Sequence, residues 1–149
     1  MPATLKPVTP DHIPSLLALM RLLQDDDPWS VPFDEDVLHA NLHELLADAV
    51  YGSAYFIVDG EATLGYIVLC FDYSLEYRGK GAWVDEFFVL KDLRGRGIGA
   101  EVLVLAEREA RRLGAKVLHL EVNHGNPALD LYRRHGFEDH QRYLMTKWL

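Results

Sequence analysis

Apolar positions recur along this chain with two different periods, and the switches between them mark out its elements. "TLKPV" reads as a short strand. Behind Thr9 and Pro10, an N-cap followed by proline at the first helical position, Ile13, Leu16, Leu17, Met20 and Leu23 recur at helical spacing. The stretch "QDDDPWSVPF" breaks that pattern with two prolines and reads as a loop. A second helix is predicted from the cap Asp34, with Leu38, Leu42, Leu45 and Ala49 on one face. Period two then takes over: "AYFIV", the turn "DGEA" and "LGYIVLCFDY" form a hairpin, and "AWVDEFFVL" makes a third long strand.

Beyond the run "RGRGIGA", Arg94 to Ala100, the residues Ile98, Val102, Leu105, Ala106 and Leu113 give the inward face of a helix. Glu107 and Arg111 form an i,i+4 pair outside it, and Gly114 stops it. "KVLHLEV" reads as a strand, "NPALDLYRRHGF" as a short helix with Gly136 at its end, and "RYLMTKWL" as a last strand. The sequence contains no internal repeat. This order predicts one α/β (α+β) domain over residues 1–149, a mixed sheet of six or seven strands with helices on both faces.

Composition narrows the partners. A formal charge of -8 argues against nucleic acid or an anionic membrane, both of which need a basic footprint, and suits a cationic or amine ligand. No apolar run approaches the roughly 20 residues that span a bilayer, and "IPSLLALM" lacks the basic flank of a signal peptide. The single cysteine, Cys70, sits in the strand "GYIVLCF" and reads as a packed thiol, which points to a reducing, cytoplasmic setting. His39 and His43 stand at i,i+4 without the glutamate of H-E-x-x-H and read as a solvated helix edge, so no metal is expected.

The glycine run carries the chemistry. Glycine lets backbone approach a ligand, and free N–H groups at a helix start hold phosphate oxygens, so a nucleotide-like ligand is expected. Gly95, Gly97 and Ala100 also satisfy the dinucleotide fingerprint G-x-G-x-x-G/A, with Glu121 near the ribose-binding position. Against that fold, "KDLR" separates strand from glycine, and only some fifty residues follow. A phosphate-loop NTPase is excluded because no G-x-x-x-x-G-K-[ST] is present.

Taken together, the acidic strand "VDEFFVL", the loop "RGRGIGA" fitting [RQ]-x-x-G-x-[GA], and the helix "NPALDLYRRHGF" resemble the GNAT superfamily of acetyl-CoA-dependent N-acetyltransferases. The resemblance runs from about Leu5 to Leu149, and "DEFFVLKDLRGRGIG" is especially similar to the diamine and thialysine acetyltransferase branch. It implies a GNAT fold with splayed parallel strands β4 and β5. It implies acetyl-CoA as cosubstrate, its pyrophosphate on the amides of Arg94, Gly95, Arg96, Gly97, Ile98, Gly99 and Ala100, its pantetheine arm along the backbone of Phe87, Phe88 and Val89. Arg94 and Arg96 can add side-chain contacts to phosphate. Asn123 or Asn126 makes a further coenzyme contact; Asn126 stands six residues before Tyr132, one fewer than the family's commonest pattern. A homodimer is common for relatives of this size.

Acetyl transfer to an alkylamine, whose pKa is about 10.4, needs a base. Asp85 and Glu86 are consecutive on a strand, so the expectation is that they point to opposite faces and one of them meets the acceptor. The diamine branch favours Asp85, the wider family the Glu86 position, and both stay open. A partner arginine, or a strand end that reaches solvent, is the purely structural alternative for the same acids. Tyr132 matches the family's helix tyrosine and is the candidate acid for the departing thiolate. In this family the first inter-helix loop borders the acceptor, which brings in Asp26, Asp27 and Trp29; Tyr73 and Glu76 near the hairpin end are similarly placed. The expected reaction is direct attack, in a ternary complex, by a primary amine of a small molecule such as a polyamine or an amino acid with an amino-ended side chain. A protein N-terminal or lysine acetyltransferase is the alternative, and a non-catalytic acyl-CoA-binding module the alternative of another class.

Overall fold

The computed structural model describes residues 2–149. Strand β1 (Thr4–Pro7) leads through a 3-10 turn (Pro10–His12) into helices α1 (Ile13–Asp26) and α2 (Glu35–Ala47). Strands β2 (Gly52–Asp59), β3 (Ala62–Ser74) and β4 (Gly79–Val89) follow as a meander, and α3 (Ile98–Arg112), β5 (Val117–Leu120) and α4 (Leu129–Arg134) come after it. The sheet order is β1-β2-β3-β4-β5. Every neighbouring pair is antiparallel except β4 and β5, which run parallel through the α3 crossover.

Local signals set most of these boundaries. Asp34 caps α2 as its position predicts, its Oδ1 accepting the Val37 N–H at 3.2 Å. Thr9 and Pro10 open the 3-10 turn rather than the α-helix: the Thr9 N–H donates to His12 Nδ1 at 3.1 Å, and α1 starts at Ile13. Helix α2 ends at Ala47, short of Ala49, because Asp48 Oδ1 takes the Val50 N–H at 3.0 Å and offers the backbone a local alternative to the helix.

The period-two pattern of the meander sorts side chains into two cores. One face carries Phe56, Tyr66, Val68 and Phe88 against Leu16, Leu17, Met20 and Leu42 of α1 and α2. The other carries Tyr55, Ile57, Ile67, Leu69 and Ala82 against Val102, Ala106 and Ala110 of α3. Helices therefore cover both faces. Ile13, Leu16, Ile57, Ile67, Leu69 and Val102 are fully buried, and each contributes about 1.5–3 kcal/mol of burial free energy.

The sheet has five strands among the described residues, not six or seven, and "RYLMTKWL" is not one of them. That segment has the alternation of a strand, but alternation forms a strand only against a partner, and β5 offers a ladder of four residues. Tyr143, Leu144, Met145 and Trp148 instead stand in solvent. Arg142, paired with Glu76 at 2.8 Å, holds the root of the segment beside the β3–β4 turn.

Candidate active site

The two acids of β4 sit where the sheet changes register. Val68 of β3 faces Glu86, and its neighbour Leu69 faces Val84, so Asp85 is the extra residue of a β-bulge. The bulge corrects the expectation of opposite faces, which holds only for a regular strand. Both carboxyls lie on the α1–α2 side: Asp85 interacts with the thiol of Cys70, which packs against that core, and Glu86 with the Trp29 indole N–H.

Burial is the main electrostatic influence on this pair. It pushes the Glu86 carboxyl up to about 7, assisted by the charge of Asp85 and, less, of Asp27, and opposed by Trp29. Asp85 keeps an exposed edge along the cleft, yet desolvation still raises it, against the favourable contact with Cys70. The Cys70 thiol is itself pushed up to about 12, by burial first and by the two acids after, so it stays protonated and serves as a donor rather than a nucleophile. Glu86 Oε1 is buried without a hydrogen-bond partner among the described residues.

Immediately after the bulge the sheet opens. Parallel pairing between β4 and β5 covers Gly81 to Val84 and stops where Asp85 begins. Phe87, Phe88 and Val89 thus show the opening a backbone edge with no strand partner, its Val89 carbonyl already taken by a side chain, while Phe88 fills the α1–α2 core and Phe87 and Val89 pack on the α3 side. An amide-bearing chain such as the pantetheine arm fits that edge as an added strand.

The glycine run forms the next wall. Gly95 and Gly97 take left-handed conformations, φ +77° and +81°, that only glycine adopts at little cost. Gly97 is the N-cap of α3 and no side chain among the described residues caps that helix, so the first N–H groups of Ile98, Gly99 and Ala100 are free to meet an anion. These residues fit a pyrophosphate. Gly99 has a separate reason to be glycine: a Cβ there would stand 3.3 Å from Leu131 Cδ2 on α4.

Both arginines of the run are engaged within the protein. Arg94 pairs with Asp26 at 2.7 Å and donates through Nε to the Val89 carbonyl at 2.9 Å; Arg96 Nη2 donates to the Asp92 carbonyl at 3.2 Å. A cavity of about 510 Å³ lies between the end of α1 and the end of β4, lined by Leu22, Asp25, Asp26, Phe88, Leu90 and Arg94 among others.

The remaining sequence candidates divide. Trp29 is half-buried, anchored by its backbone N–H to Gln24 Oε1 at 3.1 Å, and both it and Asp27 act on Glu86. Tyr132 is half-buried on α4 with its ring 5.9 Å from Phe137, and burial raises its hydroxyl, which keeps the proton in place. Asn126 Oδ1 accepts the Ala128 N–H at 2.9 Å and shapes the turn into α4, whereas Asn123 is exposed. Tyr73 is not brought to the acid pair: it faces Lys80, five residues down β3 from Val68 or about 17 Å along the strand, and Glu76 is held by Arg142. His39 and His43 lie with their ring centroids 4.8 Å apart, tilted at 53°, on the exposed side of α2. Sequence reasoning missed two neighbours of the acids, Tyr66 and Cys70 in this role. Both read as core residues of an apolar strand, and only the cross-strand register shows what they meet.

A sheet that opens beside an anion-ready helix start gives the chain the form of a coenzyme-dependent acyltransferase. The profile of the Acetyltransferase (GNAT) family matches residues 16–137, and the chain belongs to that family: it is an acetyl-CoA-dependent N-acetyltransferase. It is similar to the thialysine N-epsilon-acetyltransferase of Bos taurus, 29% identical over 135 residues that cover 84% of this chain and 78% of the relative. It is also similar to the aminoalkylphosphonate N-acetyltransferase of Salmonella typhimurium, 31% identical over 113 residues, 74% of this chain and 67% of the relative. The crystal structure of an integron cassette protein from the mobile metagenome of Cole Harbour Salt Marsh superposes with a TM-score of 0.82 at 30% identity, covering 97% of this chain and 90% of the other. No helix among the described residues is long and apolar enough to cross a membrane.

Proposed function

We propose that the chain moves the acetyl group of acetyl-CoA to a primary amine of a small, cationic molecule, a polyamine or an amino-acid-like amine. The observation that carries this reading is the β4 bulge, which turns two carboxyls into one cleft at the point where the sheet opens. Two acids there are more than proton transfer needs. Asp85, solvent-facing, draws the ammonium in, and Glu86, with a carboxyl poised near neutrality, takes its proton. The freed nitrogen lone pair attacks the thioester carbonyl carbon and the C–N bond forms; as the C–S bond breaks, the Tyr132 hydroxyl gives its proton to the leaving sulfur, and the excess proton of the acylated nitrogen passes to the Tyr132 phenolate, leaving a neutral amide, free CoA and a restored hydroxyl. The N–H groups from Gly95 to Ala100 hold the pyrophosphate, the edge of Phe87 to Val89 holds the pantetheine arm, and Asn123, whose side chain is exposed, supplies the further polar contact. The names of the two relatives, for thialysine and for aminoalkylphosphonate, support a small amine as acceptor. The free, packed thiol of Cys70 supports a reducing, cytoplasmic setting.

The test is an acceptor screen that follows free CoA release with α,ω-diamines, basic amino acids, aminoalkylphosphonates and peptides with free N-termini or lysines. Acetylation of one of the small amines is the expected result; turnover of peptides alone would replace this reading with a protein acetyltransferase.

A further inference from the structure

Tyr66 is one of the largest fully buried side chains among the described residues, with 0% of its surface exposed, and its hydroxyl has no hydrogen-bond partner among them. A buried hydroxyl left unpaired costs free energy that phenylalanine at the same place would not. The ring alone accounts for the packing, since it meets Phe88 at 6.0 Å within the α1–α2 core. The oxygen needs a separate reason.

The register supplies one. Tyr66 faces Phe88 and Val68 faces Glu86, so Tyr66 and Glu86 are diagonal neighbours on one face of the β3–β4 pair, about 7 Å apart at their Cβ atoms and within reach of long side chains. The two side chains end in complementary orphans: a hydroxyl that can donate, and Glu86 Oε1, which accepts. A third orphan, Gln24 Nε2, belongs to the residue that anchors Trp29, the indole that meets Glu86. Two to four polar partners are what a buried water requires.

We propose that Tyr66 is a positioning residue for the acetyl transfer: its hydroxyl and Glu86 Oε1 share one buried water molecule, and that bridge holds the Glu86 carboxylate in the orientation that receives the acceptor's proton. The proton leaves the ammonium nitrogen and binds a Glu86 oxygen, and it returns to solvent through the cleft on the exposed Asp85 side when the carboxylate is regenerated. The inference rests on the reading of Glu86 as the proton acceptor. The groups facing Glu86 are Asp85 on its own strand, Tyr66 and Cys70 on β3, and Trp29 and Asp27 on the α1–α2 loop. Burial, and then the two acid charges, raise the Tyr66 phenol, so it remains a neutral donor across the working range.

The test is a carbon-detected titration of protein carrying ¹³C-labelled glutamate, with the Glu86 carboxyl assigned by its loss in Glu86→Gln. In the wild type it should titrate well above an ordinary glutamate. Tyr66→Phe keeps the ring and removes the donor, and should raise that midpoint by about one pH unit, the order of one hydrogen bond to a charged group. The acidic limb of kcat/KM should move up equally, with acetyl-CoA affinity unchanged, and the Tyr66→Phe effect should vanish in a Glu86→Gln background. An unmoved midpoint and limb in Tyr66→Phe overturn the bridge while leaving Glu86 as base. A wild-type midpoint near that of ordinary glutamate overturns the base itself, and the bridge with it.

Discussion

Arg94 Nη1 lies 2.7 Å from Asp26 Oδ2, which fastens the first residue of the glycine loop to the last turn of α1. The guanidinium also covers the Phe88 ring at 5.5 Å and holds the Val89 carbonyl, so one side chain ties the end of β4 and the glycine loop to the loop that carries Asp27 and Trp29. The pair is partly exposed, and its worth to stability is at most about 1 kcal/mol. Its effect belongs to position. Asp26→Asn should raise the KM of the acceptor about three- to tenfold and leave Tm and the acetyl-CoA Kd almost unchanged. Calorimetric titration beside steady-state kinetics checks this, and a coenzyme Kd that weakens as much as the acceptor KM would show Arg94 to be a phosphate ligand instead.

Gly97→Glu combines a left-handed backbone that glutamate tolerates poorly with a negative charge at the uncapped start of α3. Acetyl-CoA affinity should fall by about 100-fold or more, the order of two lost charge-assisted contacts. Titration of folded variant protein with acetyl-CoA decides the matter; near-native affinity would falsify the cradle. Gly99→Ala should act elsewhere, because its new methyl presses on Leu131, next to Tyr132, and its loss should be in kcat rather than in coenzyme affinity.

A carboxyl raised in the folded state makes the native protein hold a proton that the unfolded chain has already released. Stability therefore falls as pH rises through the window from about 4.5 to 7, and for Glu86 the loss is of the order of 3 kcal/mol. Glu86→Gln removes that dependence: its Tm should match the wild type near the low end of the window and exceed it above pH 7. Thermal unfolding across pH reads this directly, and parallel curves for the two proteins would place the raised carboxyl elsewhere.

Tyr132→Phe removes one oxygen and keeps the ring that meets Phe137. If the hydroxyl protonates the departing thiolate, kcat should drop by about 100- to 10,000-fold with acetyl-CoA KM little changed. Rapid-quench measurement of the chemical step, with an acceptor already shown to react, separates this from packing; turnover within about threefold of wild type would assign the proton to another donor.

The glycine run, the acidic strand and both helix-covered faces were readable because each rests on residues adjacent in the chain: an N-cap, a φ-permissive glycine, a period of two or of 3.6. The bulge was not. It is a property of two strands together, visible only once Leu69 is seen to skip Asp85 and pair with Val84. The same limit hid Tyr66 among apolar neighbours and made "RYLMTKWL" look like a strand, since its pattern says nothing of whether an edge lies within reach. The Arg94–Asp26 contact joins residues 68 positions apart, and each reads alone as a solvated charge.

The brevity of the β4–β5 pairing has a dynamic consequence. Strand β5 is held to the sheet by one neighbour and four residues, whereas β3 is paired along both edges and buried through its middle. Amide hydrogens of β5 should exchange through local openings far cheaper than global unfolding, while those of β3 wait for the whole domain. The opening proposed for the pantetheine arm is thus bounded on one side by β4, which β3 holds along its length, and on the other by a four-residue edge strand, and a bound coenzyme bridging the two should slow exchange in β5.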